Sequence, residues 1–305
     1  MTEIALYISN IAFKKYYALC KPKVVLLIVF TAIVGMLLST KGPVQIDLFL
    51  YATIGIALAA ASGAAINHWV DQRIDTVMER TKNRPLPQGD MSSISALSFA
   101  ISLGVISMII LVTQVNILTA LLTLTSLIGY AVIYTIFLKR STPQNIVLGG
   151  AAGAAPPVLG WAAMTGEVNT EALLLFLIIF IWTPPHFWAL AIKRKDEYAR
   201  AGLPMLPVTH GIAFTKAHIL LYTLMLVAVT LMPFVIKMTG LVYLSAAVAL
   251  GIGFIYHSFK LYRTGNSDAH AMKTFAYSIF YLSALFAFLL IDHYARILLR
   301  DYFIL

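Results

Sequence analysis

The sequence predicts an all-α polytopic membrane protein, a bundle of nine transmembrane helices with its long polar loops on the cytoplasmic side, and three observations predict it. Of 305 residues, 60% are hydrophobic and 11% charged, an apolar share well beyond that of a soluble domain. Nine apolar stretches reach or approach the length that crosses a bilayer core at about 1.5 Å per residue. The basic residues gather in alternate loops, the pattern that fixes orientation in a membrane.

The first span, Val24 to Ser39, opens behind Lys21-Pro22-Lys23. The second, Leu48 to Val70, runs directly into a charged segment. The third and fourth, Ile94 to Thr113 and Ile117 to Leu138, are separated by a short uncharged turn, and Lys139 and Arg140 close the fourth. The fifth, Gln144 to Met164, carries Gly149 and Gly153, small residues that predict close helix packing. No Gly-Lys-Ser/Thr ending follows, so this stretch is not a phosphate loop. The sixth, Ala172 to Ile192, contains Pro184-Pro185, whose missing N–H groups predict a break or kink that opens polar backbone inside the bundle. Ala217 to Ile236, Leu241 to Leu261 and Phe275 to Ile291 complete the set.

All but Lys41, Lys237, Arg296 and Arg300 of the 22 lysines and arginines fall on one side of this arrangement. The bias predicts a cytoplasmic N-terminus, cytoplasmic long loops and an extracytoplasmic C-terminus. It also accounts for the net charge of +9, so no nucleic-acid partner is implied. A single cysteine, Cys20, excludes an intramolecular disulfide and a cysteine-based zinc site. Met1 to Tyr17 has neither an Arg-rich presequence nor a small-residue cleavage site, which predicts a bacterial inner membrane as the location. Residues 1–305 read as one domain. Asp71 and Asp196 each follow an even-numbered span and lead into a proline turn, hinting at two four-helix halves plus a ninth helix.

The charged segment after the second span carries the chemistry. Asn67, Asp71 and Asp75 recur at i, i+4 and i+8, so on a helix they drift only about 40° per step and share one face. Carboxylate and amide oxygens suit magnesium, which keeps several waters and is commonly completed by substrate phosphates. Arg73, Arg80, Lys82 and Arg84 supply donors for phosphate oxygens around that stripe. The plain alternative is a helix end whose acids pair with its own arginines. His68 neighbours the stripe one residue out of its spacing.

Asn-x-x-x-Asp-x-x-x-Asp followed by Arg80-Thr81-Lys82-Asn83-Arg84-Pro85-Leu86 resembles the first aspartate-rich motif of the intramembrane aromatic prenyltransferases. The general pattern of that family has an acid directly after the Asn, where this chain has His68. Thr183-Pro184-Pro185-His186-Phe187-Trp188-Ala189-Leu190 and the run from Asp196 through Leu203-Pro204-Met205-Leu206-Pro207-Val208 resemble the haem-farnesylating branch of the family, and the similarity spans nearly the whole chain. The resemblance implies a nine-helix bundle, magnesium as cofactor, farnesyl diphosphate and haem B as substrates, and association with haem A synthase or the oxidase-assembly machinery. It implies metal ligation by Asn67, Asp71 and Asp75, with Asp196 opposite. Four residues beyond Asp196 stands Arg200 where the family often has a second acid, leaving only the adjacent Glu197.

Lys193, Arg194 and Lys195 fit diphosphate binding and the orientation signal equally well, since both place them on the same side. His186 is expected to line the cavity as an iron ligand, a proton shuttle or a propionate contact, against the plain reading of a histidine satisfied by a helix carbonyl. Trp188 and Phe187 are candidates to face the flat ring of the acceptor, against the plain reading of the tryptophans as packing or interface residues. Two other functions share some of these features: prenyl transfer to another aromatic or tetrapyrrole acceptor such as a hydroxybenzoate or naphthoate, and membrane transport. A transporter should place its ionisable groups near the bilayer midplane, whereas these acids cluster at one edge.

Overall fold

The computed structural model describes residues 13–40, 42–265 and 267–303. Residues 1–12 and Lys41, which figured in the orientation argument, lie outside the described residues, as does the side chain of Arg300. Among the described residues nine helices are long and apolar enough to cross a membrane, and the chain is a multi-pass membrane protein. They are α1 Pro22–Ser39, α2 Ile46–Asp75, α3 Ser93–Gln114, α4 Ile117–Ser141, α5 Asn145–Thr165, α6 Thr170–Lys193, α7 Gly211–Val235, α8 Leu241–Tyr262 and α9 Ala271–Phe303. Two short helices, Lys195–Arg200 and Leu206–Thr209, bridge α6 and α7.

Each helix lies over its predicted span, and the departures have physical causes. α2 continues past Val70 to Asp75, because the acids that end the apolar run meet Lys139 of α4 and Arg84 of the following loop there. α6 is continuous through Pro184 and Pro185, so the expected break does not occur; packing on both sides of a buried helix supports it where two backbone donors are missing. Residues Gly129–Leu138 of α4 form a π-helix, a rare conformation found mostly at functional sites.

α6 sits centrally, against α5, α7 and α9, while α2 runs along α3. The Pro156–Thr165 half of α5 packs along α1, and α9 also reaches α1, so the first four helices and the next four interlock. At the α1–α5 crossing, a Cβ on Gly35 would overlap the Pro157 carbonyl and one on Gly160 the Ala32 carbonyl. Only glycine permits so close a backbone approach. Of the two glycines expected to pack, Gly149 does, against the Tyr134 ring, whereas a Cβ on Gly153 would meet nothing. A crossing is tight at one point, and one turn further along α5 the helix faces outward.

Bundle polarity follows from the absence of water in the bilayer, where each backbone group must find a partner. Ser62 donates to the Ala100 carbonyl and Ser107 to the Gly55 carbonyl, tying α2 to α3. Asp292, 1% exposed, accepts from the backbone N–H groups of Gly240 at 2.6 Å and Tyr243 at 3.1 Å. A carboxylate from α9 thus caps the N-terminus of α8, where free N–H groups and the helix dipole favour an anion. Lys216, counted in the sequence as an orientation signal, is buried and donates to Thr264 Oγ1 and the carbonyls of Gly265 and Ser267. It closes the loop between α8 and α9.

Candidate active site

The polar-loop end of α2 gathers the site. Asn67, His68, Asp71 and Asp75 are 5%, 3%, 2% and 3% exposed, a degree of burial that the two carboxylates tolerate only when paired. The pairs come from three other segments. Asp71 Oδ2 accepts from Lys139 Nζ at 2.5 Å and from Asn67 Nδ2 at 2.9 Å. Asp75 Oδ2 accepts from Arg84 at 2.6 Å, and the side-chain Oδ1 of Asn67 accepts from Lys21. Thr135, with no exposed surface, receives a longer bond from Asn67 Nδ2 at 3.4 Å and donates to the Tyr130 carbonyl five residues back. That five-residue reach belongs to the π-helix of α4, and one further turn carries Lys139 to Asp71.

Lys21 precedes α1 with a left-handed backbone, φ 49° and ψ 61°, a conformation that costs a non-glycine residue about 1–2 kcal/mol. Pro22 then starts the helix, and the bend turns the lysine inward to Asn67. Burial, followed by the nearby charges of Arg84 and Lys139, pulls the Lys21 ammonium down to about 7 against the opposing pull of Asp71 and Asp75.

The arginines and lysines named from the sequence divide. Arg84 joins the site directly, and Arg80 lies within electrostatic reach of Asp75, Arg194 and Tyr198. Arg73 does not join: two residues beyond Asp71 it falls about 200° around the helix and is exposed, bordering an outer groove with Gln72, Leu86 and Pro87. Lys82 pairs with Glu79 at 2.6 Å away from the stripe. Lys193 turns to Asp268 at 2.8 Å, whose carboxyl it holds below the usual range. Arg194 bonds Glu197 at 2.8 Å, and Lys195 is half-buried with no ion pair among the described residues.

In the second loop the expected residue is exposed: Asp196 faces outward, while Glu197 is 19% exposed and turned toward Arg194. The helix Lys195–Arg200 presents its neighbours about 100° apart, so only one of two adjacent acids can face in, and here it is Glu197. Lys21, Lys139 and Thr135 belong to the site although nothing in the sequence pattern tied them to it. Both lysines stand at span ends on the same side as the aspartates, which is the one signal that singled them out. Among the described residues, Asp71 Oδ1, both ring nitrogens of His68, Arg194 Nε and Glu197 Oε2 are buried without a hydrogen-bond partner. Buried polar atoms in this condition mark places that a polar ligand satisfies.

His186 is buried about two turns below the end of α6, between Trp182, 4.2 Å away, and Phe275, 4.6 Å away. Its Nδ1 is 2.7 Å from Ser278 Oγ, and Ser278 in turn donates to the Phe275 carbonyl at 2.6 Å. With the serine's single hydrogen on that carbonyl, Nδ1 is the donor and the lone pair lies on Nε2. Trp188, 1% exposed, is packed edge-on against Tyr222 and His218 of α7. It is a core residue of the α6–α7 contact, and its ring faces are covered. Phe187 is the aromatic of this stretch that remains open, at 41% exposure.

Residues 28–290 match the UbiA prenyltransferase family. A protoheme IX farnesyltransferase of Thioalkalivibrio sulfidiphilus is 63% identical over 94% of this chain and 95% of its own, and one of Nitrosococcus oceani is 60% identical over 96% and 98%. Among solved structures, a digeranylgeranylglyceryl phosphate synthase superposes with a TM-score of 0.78 at 20% identity, over 92% of this chain and 98% of that one. A UbiA homologue of Archaeoglobus fulgidus bound to DMAPP and Mg2+ does so with a TM-score of 0.64 at 16% identity, over 90% and 99%. With a family model over most of its length and relatives this similar end to end, the chain belongs to the UbiA prenyltransferase family.

Proposed function

We propose that this protein transfers the farnesyl group of farnesyl diphosphate to a vinyl group of haem B, giving haem O and diphosphate. The observation that carries the reaction type is the buried Asn67–Asp71–Asp75 face ringed by Lys21, Arg84 and Lys139 at one end of an apolar bundle. The farnesylated acceptor follows from the relatives named above, of which the first is 63% identical.

Magnesium fits this face. Asp71 Oδ1 is a buried, unpartnered carboxylate oxygen, Asn67 and Asp75 add oxygens on the same side, and a cation that keeps its waters needs no complete protein cage. When bound, it supplies charge stabilisation to the diphosphate as the C–O bond lengthens. Lys21, Arg84 and Lys139 do the rest of that work by neutralising the leaving group. The farnesyl C1–O bond breaks, the electron pair departs with diphosphate, and the vinyl π electrons form the new bond at C1. Water then captures the cation left beside the porphyrin and loses a proton, which gives the hydroxyethylfarnesyl substituent. The apolar interior excludes water until that point. His186, held through Nδ1 by Ser278, would offer Nε2 to the haem iron, since a ligating histidine normally donates through its other nitrogen.

The same reading places the aspartate face on the cytoplasmic side of a bacterial inner membrane, where farnesyl diphosphate is available. A product this apolar stays in the bilayer, which fits handover to haem A synthase or the oxidase-assembly machinery. Mass spectrometry of haems extracted from membranes with and without the protein tests the proposal. A farnesylated haem is expected with the wild type and not with Asp71→Ala or Asp75→Ala. Unchanged haem B beside a prenylated phenol would sink it.

A further inference from the structure

His68 holds the position where the general family pattern carries an acid, and among the described residues nothing partners either of its buried ring nitrogens. Two such nitrogens at 3% exposure are costly unless something satisfies them. The geometry of the stripe says what faces them. Because each i+4 step advances about 40°, the stripe has rotated by about 80° when it reaches Asp75, whereas His68 lies about 100° from Asn67. His68 is therefore within roughly 20° of Asp75, two turns above it, and is aligned with the far half of the stripe. Lys21, Arg84 and Arg80 lie within electrostatic reach of the ring. A hard divalent cation prefers oxygen to imidazole, and three cations around the ring favour an anionic partner.

We propose that His68 is a diphosphate-binding residue, donating a ring N–H to an oxygen of the allylic diphosphate held against Asn67, Asp71 and Asp75. This rests on the proposed reading of the site as a prenyl diphosphate site. A neutral donor at this position bonds the diphosphate directly, where the acids of the stripe reach it only through a cation. His68 thereby fixes the leaving group beside the lysines and Arg84 that neutralise it.

Titrating inorganic pyrophosphate into the detergent-solubilised full chain, in magnesium buffer and followed by calorimetry, tests the assignment without an acceptor. His68→Leu is expected to bind about tenfold more weakly, the loss of one hydrogen bond to a charged group, and His68→Gln, which keeps an N–H at similar reach, to stay within about threefold. Equal affinity in wild type and His68→Leu overturns the proposal and leaves the ring to an internal water. Should the leucine variant fail to accumulate, His68→Asn against His68→Gln decides: both are polar, only the longer amide reaches as far as the ring, and equal affinity again overturns it. Wild-type protein that binds pyrophosphate through His68 yet forms no farnesylated haem overturns the reaction and leaves the residue assigned. Wild-type protein that binds no pyrophosphate overturns both.

Discussion

Lys139→Met removes one charge from the site while keeping most of the side chain's volume, and its cost is set by what it leaves behind. The Lys139–Asp71 pair is 2.5 Å long, with side chains 14% and 2% exposed, so solvent screens it little. At an effective dielectric of about 20, the attraction at that distance is roughly 7 kcal/mol, offset by the desolvation of both groups. Removing only the lysine leaves a buried carboxylate with Asn67 as its remaining partner, a change that typically costs about 3–5 kcal/mol. For a chain of this size that is about 2 °C per kcal/mol, or about 6–10 °C in Tm. Thermal unfolding in detergent with EDTA should show that loss, and Lys139→Arg should largely avoid it. Magnesium should then raise the Tm of Lys139→Met more than that of the wild type, because the ammonium that repels a cation beside Asp71 is gone. Asp71→Asn combined with Lys139→Met should recover much of the stability, since the stranded charge is gone. A Lys139→Met protein melting within about 2 °C of wild type in EDTA, or a double variant less stable than the single one, would refute the pairing as the reason these acids tolerate burial.

Gly160→Ala should destabilise by about 1–3 kcal/mol, because its Cβ would strike the Ala32 carbonyl; Gly153→Ala, facing open space, should melt with the wild type, and thermal scans of the two compare them directly. Asp292→Ala strands two backbone donors of α8 and should cost about 3 kcal/mol, read from the same scans, with product formation retained in the folded fraction. Ser278→Ala removes the hydrogen-bond partner of His186 Nδ1, so optical titration should show weaker haem binding while pyrophosphate affinity is unchanged. In the second loop, Glu197→Gln should lower turnover more than Asp196→Asn does, because only Glu197 is turned inward; a larger effect at Asp196 would reverse that assignment.

The helices were legible because length and hydropathy are local properties, and lipid leaves the backbone no alternative to a helix. α2, α7 and α9 run longer than their apolar windows, since a charge ends a hydropathy window without ending a helix. The stripe of Asn67, Asp71 and Asp75 was also legible, because spacing of four along one helix is a local fact as well. Its partners were not. Lys21 is 46 residues from Asn67 and Lys139 is 68 from Asp71, and at either end of a span a lysine that orients the chain looks the same as one that enters a site. Arg73 shows the opposite error: nearness in sequence suggested a place that its angle on α2 forbids. For Trp188 the misleading signal was the aromatic run itself, which serves the α6–α7 contact as readily as a ring-shaped ligand.

The π-helix in α4 explains why Lys139 reaches Asp71. A regular α-helix advances about 100° per residue, whereas a π turn takes about one more residue to close, so the ten π residues Gly129–Leu138 rotate the end of α4 relative to its start by a large fraction of a turn. Upstream, α4 must present residues such as Thr119 and Thr123 to the bundle, and both are buried. Downstream it must present Thr135 to Asn67 and Lys139 to Asp71. One uninterrupted α register does not meet both demands, because the apolar face that serves the membrane and the polar face that serves the site fall at different angles. The π segment resolves the conflict at the cost of weaker backbone bonding, and Thr135 repairs part of that cost by donating to the Tyr130 carbonyl at 2.7 Å. The buried acids of α2 are thus affordable only because α4 leaves its regular geometry to bring them a cation.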